Sequence, residues 1–141
     1  MRHLSLILLA CCLTGGLASG LSSAETCATG ACPTEVSTTI DKATLEKAIA
    51  AKSVCLLDVN GTESFRQGHI PGAIDVQANA KQFAKILPAS KSALIVAYCG
   101  SSTCGAYKGA TDAATKLGYT NVKHYAGGLA GWVKDGGQLV K

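Results

Sequence analysis

The chain has 141 residues, 48% of them apolar and 16% charged, with a formal net charge of +4. That is about one domain's length with enough apolar material for a core, which excludes an intrinsically disordered acidic or basic protein. The basic residues are scattered and form no run, which argues against a dedicated nucleic-acid surface.

Arg2 and His3 precede an apolar run from Leu4 to Leu13, broken by Thr14-Gly15-Gly16 and followed by small residues up to Ala24. A basic start, a short apolar stretch and a small-residue tail predict a secretory signal peptide over residues 1–24. The run is about half of the ~20 residues that span a bilayer. Cleavage is expected after Gly20 or Ala24. Leu8-Leu9-Ala10-Cys11 also has the form of a lipobox, so lipidation of Cys11 is an alternative route and the one membrane anchor expected. The mature protein is expected in the periplasm or outside the cell, where disulfides persist. It keeps five of the seven cysteines, Cys27, Cys32, Cys55, Cys99 and Cys104, so at least one thiol stays unpaired.

Residues 25–37 read as a loop-like tail containing Cys27 and Cys32, and residues 38–141 as the folded domain. Asp41 is expected to cap a helix with Leu45, Ala48 and Ile49 on one face. Val54–Val59 is a strand-length apolar run. Asn60 with Glu63 reads as a capping box for one or two helical turns, stopped at Gly68. Ala73–Val76 is a second short strand. Ala80, Phe83, Ala84 and Leu87 share a helical face that Pro88 ends. Ala93–Tyr98 is apolar throughout, as a central parallel strand buried on both faces would be. Ala106, Ala110, Ala113, Ala114 and Leu117 mark one face of the next helix, closed by Gly118. Asn121–Tyr125 is a last strand, followed by Gly127-Gly128 and a short helix around Trp132. Alternating strands and helices predict an α/β domain with a mostly parallel sheet.

Ligands of open α/β sheets bind beyond the carboxyl ends of the strands. The strand Ala93–Tyr98 runs directly into Cys99-Gly-Ser-Ser-Thr-Cys104-Gly105 and then a helix. Backbone amides in such a curl, with the helix N-terminus, favour an anion. A cysteine held there is expected to have a lowered pKa and to act as a nucleophile on a small anionic group.

Leu57-Asp58-Val59 with Phe65-Arg-Gln-Gly-His69-Ile-Pro-Gly-Ala-Ile74, the strand-end Tyr98-Cys99, Gly118-Tyr119, Asn121-Val122, Gly127-Gly128 and Trp132 together resemble the rhodanese-like sulfurtransferase domain. The resemblance runs from about Ile40 to Val140. It implies a rhodanese-like α/β fold, a central parallel sheet flanked by helices on both faces. It also implies that Cys99 takes a sulfane sulfur from a donor such as thiosulfate and passes it on from a persulfide. Gly100, Ser101, Ser102, Thr103, Cys104 and Gly105 would then supply amides to the bound anion.

The loop departs from the family where thiosulfate-active members carry arginines, at Gly100 and Cys104, and the nearest cation in sequence is Lys108. Asn60 stands where an arginine often follows Asp-Val. Losing one charge-assisted contact costs ~1.5–3 kcal/mol, so thiosulfate activity is expected to be weak. The related phosphatase loop needs Cys-x5-Arg, and position 105 is Gly. Cys104 is a candidate disulfide partner of Cys99, either as a resolving thiol or as a permanent staple. Cys27 and Cys32 repeat the same spacing. A tail disulfide, a redox relay, and a four-cysteine zinc site shared with the loop all fit it, and the tail disulfide is the simplest. Cys55 reads as an inert core thiol. Asp58 and His69 read as supporting residues that fix the loop and a turn, and His124 and Trp132 as strand and core residues.

These features predict an exported sulfurtransferase with Cys99 as nucleophile. The rivals are a silent rhodanese-fold binding module and a thiol–disulfide redox protein using Cys99 and Cys104. The expected partners are a small sulfur-containing anion or a thiol acceptor, with no nucleic acid. No cofactor or metal is expected, and the chain is expected to be a monomer.

Overall fold

A computed structural model describes residues 38–141. The signal segment, Cys11, the tail and the Cys27/Cys32 pair lie outside the described residues. Five strands form one all-parallel sheet: β1 (Thr38–Thr39), β2 (Val54–Asp58), β3 (Ala73–Asp75), β4 (Leu94–Tyr98) and β5 (Val122–His124), in the order β1-β5-β4-β2-β3. The helices are α1 (Lys42–Ala50), α2 (Thr62–Gln67), α3 (Phe83–Ile86, after a 3-10 turn at Ala80–Gln82), α4 (Tyr107–Lys116) and α5 (Gly128–Lys134).

The pleat sends alternate side chains to opposite faces. Leu56, Val96 and Tyr98 go to one face, where Leu45 of α1 and Trp132 of α5 cover them. Leu57, Ile95, Ala97 and Val122 go to the other, against Ala110 and Ala114 of α4 and Leu87 after α3. The sheet is thus flanked by helices on both faces, as the resemblance implies, and β4 is buried on both faces, as its sequence predicts. No helix among the described residues is long and apolar enough to cross a membrane.

Local expectations meet the structure unevenly. Asp41 caps α1 through Thr44 N at 2.9 Å. Asn60 does not cap α2, contrary to the capping-box reading. Gly61 holds the N-cap position, and Thr62 N donates instead to Gln77 Oε1 at 2.8 Å. Asn60 is already engaged with Asp58, through its backbone N at 2.7 Å and its Nδ2 at 2.8 Å. Leu117, expected on the core face of α4, is 40% exposed. It falls at the C-cap of the helix, beyond the buried stripe of Ala110 and Ala114. The short edge strand β1 carries no apolar run, so periodicity did not reveal it.

Candidate functional site

The site is the loop between β4 and α4. Its base is a buried network. Asp58, at the end of β2, is 1% exposed, and its carboxylate accepts from Tyr98 Oη at 2.6 Å as well as from Asn60. Tyr98 in turn accepts from Ile70 N at 3.1 Å. Burial first, and then the bond to Asp58, raise the Tyr98 pKa far above its ordinary value. The network ties the ends of β2 and β4 to the turn before β3, and Tyr98 immediately precedes Cys99. Asp58 therefore supports the loop and also holds the Asn60 turn.

His69 has a local role. Its Nδ1 lies 3.0 Å from Phe65 O, its ring stacks on Phe65 at 3.7 Å, and its backbone pairs with Val140 at 2.9 and 3.0 Å. These contacts pin the turn that presents Ile70 to Tyr98.

The start of α5 grips the loop from one side. Leu129 N donates to Cys99 O at 2.8 Å and Ala130 N to Gly100 O at 2.9 Å. Gly128 sits at φ +59°, and a Cβ there would lie 2.6 Å from Cys99 O and 2.8 Å from Ser101 N. Gly128 thus permits direct backbone contact between helix and loop, while Gly127 makes room for the Tyr125 ring, whose Oη would lie 2.7 Å from a Cβ there. Asn60 closes the loop from the β2 side, since a Cβ on Gly100 would meet its Oδ1 at 3.2 Å.

Cys99 is 1% exposed. Its thiol faces the carbonyl oxygens of Cys104 at 3.1 Å and Ser101 at 3.7 Å. The expectation of a lowered pKa is corrected here: burial pushes the Cys99 thiol up, and a hydrogen bond to the Cys104 sulfur pushes it further. The N–H groups of Tyr107 and Ser101 act the other way without prevailing. Cys104 carries the lowered pKa instead, because it accepts from Cys99 and is also reached by the N–H groups of Ala106 and Gly100. The amides turned on the two sulfurs are thus those of Gly100, Ser101, Ala106 and Tyr107. The Cys104 amide is used within the loop, donating to Ser101 O at 3.2 Å. Cys99, Cys104 and Cys55 are all free thiols. Cys55 is half-buried, 3.8 Å from Ile86 O, and burial raises its pKa, as suits an inert thiol.

Beside the loop lies an open groove of about 360 Å³ lined by Ser101, Ser102, Gly127, Gly131, Lys134 and Asp135. Lys134, and not Lys108, is the cation of this groove. Sequence distance hid it, because α5 reaches the loop through tertiary contacts of Gly128, Leu129 and Ala130. Among the described residues, no group of three or more His, Cys, Asp or Glu side chains is placed to hold a metal ion.

His124 pairs with Ala97 in the sheet, is 6% exposed and stacks on Tyr107 at 3.4 Å. Among the described residues its Nε2 has no hydrogen-bond partner. Burial lowers its pKa below the usual 6.5. Below that pH the unfolded chain takes up a proton that the fold resists, so stability falls as pH drops. The thermal midpoint of His124→Val is expected to depend less on pH between about 7 and 5 than the wild type's. Parallel melting curves against pH check this, and equal slopes would remove His124 as a cause.

The family model for the rhodanese-like domain matches residues 41–135. Among solved structures, the BH2092 protein from Bacillus halodurans is 28% identical with a TM-score of 0.64, over 74% of this chain and 77% of that one. The human single domain sulfurtransferase TSTD1 is 26% identical with a TM-score of 0.56, over 68% of this chain and 95% of that one. A rhodanese-related protein from Thermoplasma volcanium shares the fold at 23% identity and a TM-score of 0.57, over 72% of this chain and 96% of that one. No curated protein sequence matched the chain.

Proposed function

The chain belongs to the rhodanese-like domain family, and on that premise we propose that it is a sulfurtransferase carrying sulfane sulfur as a persulfide on Cys99. The observation that carries this reading is the seat of Cys99. It is a strand-end thiol, gripped from one side by α5, on which the N–H groups of Ser101 and Tyr107 act to favour the anion against burial. Such donors stabilise the anion of a persulfide.

The resting thiol must ionise to attack. Cys104, whose lowered pKa favours the thiolate, acts as the base: its thiolate takes up the Cys99 proton and becomes the thiol. Cys99 then attacks the sulfane sulfur of an anionic donor, and the rest of the donor leaves, as sulfite does from thiosulfate. A thiol acceptor next takes the outer sulfur. The anionic end of the donor fits the groove of Ser101, Ser102 and Lys134. Asp135 in the same lining offsets the Lys134 charge, which is a second reason, beside the arginine-free loop, for weak use of thiosulfate.

The reading includes export, supported by the Leu4–Leu13 run and its flanks. Intact mass spectrometry of Cys104→Ser protein from the exported fraction tests both parts, since Cys99 is then the loop's single thiol. The expected mass is that of a chain starting at Leu21 or Glu25, or at lipidated Cys11. Prolonged thiosulfate then adds about 32 Da to the Cys99 peptide. Protein that keeps Met1 overturns export. A Cys99 peptide left unmodified, in this variant and in wild type alike, by thiosulfate and by a small organic persulfide overturns transfer and favours the silent binding module.

A further inference from the structure

We propose that Cys104 resolves the Cys99 persulfide within the loop, so that the protein releases hydrosulfide and closes a Cys99–Cys104 disulfide. The inference rests on the persulfide reading above and goes beyond it in naming the acceptor of the sulfur. That acceptor is the chain's own second loop thiol.

The geometry favours this route. Cys99 is 1% exposed, so a bulky outside thiol reaches its persulfide less readily than a small anionic donor or a thiol of the same loop does. Cys104 is half-exposed, and the loop folds it back onto Cys99: the Cys104 carbonyl lies 3.1 Å from the Cys99 sulfur, and Cys104 N closes the turn onto Ser101 O at 3.2 Å. Intramolecular attack by a thiol already in place has a high effective concentration. The Cys104 sulfur is also the more readily ionised of the two. Gly100 and Cys104, where the resemblance leads one to expect arginines, offer an anionic donor no positive charge, and one of them is this thiol.

The step balances. After sulfur transfer, Cys99 is a persulfide anion and Cys104 holds the proton taken from Cys99. The Cys104 sulfur attacks the inner sulfur of Cys99, the inner–outer sulfur bond breaks, and the outer sulfur leaves with the Cys104 proton as hydrosulfide. The sulfane sulfur is reduced by two electrons, and the two cysteine sulfurs are oxidised to the disulfide. A further turnover needs a dithiol reductant to reopen the loop, so the same site is gated by the thiol supply of its compartment.

The test is a single turnover. Reduced full-length wild type and Cys104→Ser are desalted, given thiosulfate without any other thiol, and assayed for released sulfide and for peptide masses. Wild type is expected to release one sulfide per chain and stop, with a linked Cys99–Cys104 peptide about 2 Da lighter than the reduced one. Cys104→Ser is expected to release at least tenfold less sulfide and to keep about 32 Da on Cys99. Adding a dithiol should restart the wild type. Wild type that keeps the persulfide as long as the variant overturns the inference and leaves sulfur transfer standing. A disulfide from Cys99 to Cys27, Cys32 or Cys55, or sulfur moved onto Cys104 without sulfide release, overturns it also. If wild type and variant alike neither gain mass nor release sulfide, the inference and the sulfurtransferase reading fall together. An unmodified variant beside a wild type that releases sulfide and forms the disulfide leaves both standing, since the variant also lacks the Cys104 base. The wild-type peptide masses stand whether or not the variant folds.

Discussion

Cys99→Ser is expected to abolish thiosulfate-to-cyanide turnover, by more than roughly 10³-fold, while leaving the fold in place. Serine keeps the shape, and its hydroxyl can donate to Cys104 O where the thiol now sits 3.1 Å away. The buried polar atom therefore stays bonded, and the stability change should stay within about 1 kcal/mol. What is lost is the nucleophile, since an alcohol at neutral pH neither ionises nor accepts a sulfane sulfur. The paired control is Cys55→Ser. Cys55 is packed against the α3–α4 face of the core, and a hydroxyl there costs stability, about 1–2 kcal/mol. Its turnover per folded molecule should match the wild type. Steady-state rates and urea melts on both variants separate the two effects. Wild-type turnover in Cys99→Ser would move the chemistry to another residue.

The order of elements was legible because burial leaves a periodic trace. The continuous run at Ala93–Tyr98 identified the central strand, and the Ala110/Ala114 spacing identified the buried stripe of α4. The position of Cys99 at the mouth of the sheet followed from those two elements alone. The acidity of Cys99 was not legible. It depends on how deeply the loop buries the sulfur and on which of the two thiols donates to the other, and spacing along the chain encodes neither. Cys99 is buried and donates, Cys104 accepts and is reached by the N–H groups of Ala106 and Gly100, so the more acidic thiol is Cys104. Asn60 failed as a cap for a similar reason: a buried carboxylate two residues back competed for the same side chain. Lys134 was hidden by distance along the chain, because tertiary contact through Gly128 brings it to the groove.

That contact sets the second large effect. Gly128→Ala is expected to disable the site and to destabilise the protein by roughly 2–5 kcal/mol. Two costs combine. At φ +59° a side chain strains the backbone by about 1–2 kcal/mol. The new methyl would also stand 2.6 Å from Cys99 O, 2.8 Å from Ser101 N and 3.0 Å from Gly100 C. All three are backbone atoms, which cannot turn aside as a flexible side chain would. Either α5 retreats and loses its bonds from Leu129 N and Ala130 N, or the loop shifts and carries Cys99 with it. Both outcomes move the sulfur relative to the amides of Ser101 and Tyr107, so persulfide formation should fall even in molecules that stay folded. Gly131→Ala is the control within the same helix. Its nearest neighbour would be Tyr125 Oη at 3.9 Å, and alanine favours an α-helix over glycine by about 0.5–1 kcal/mol. Thermal melts on the two variants should diverge in opposite directions, and the single-turnover persulfide yield of Gly128→Ala should fall below the wild type's. Gly131 lines the donor groove, so its variant serves as the control for stability alone. If Gly128→Ala keeps the wild-type yield, the grip of α5 on the loop has no part in positioning Cys99.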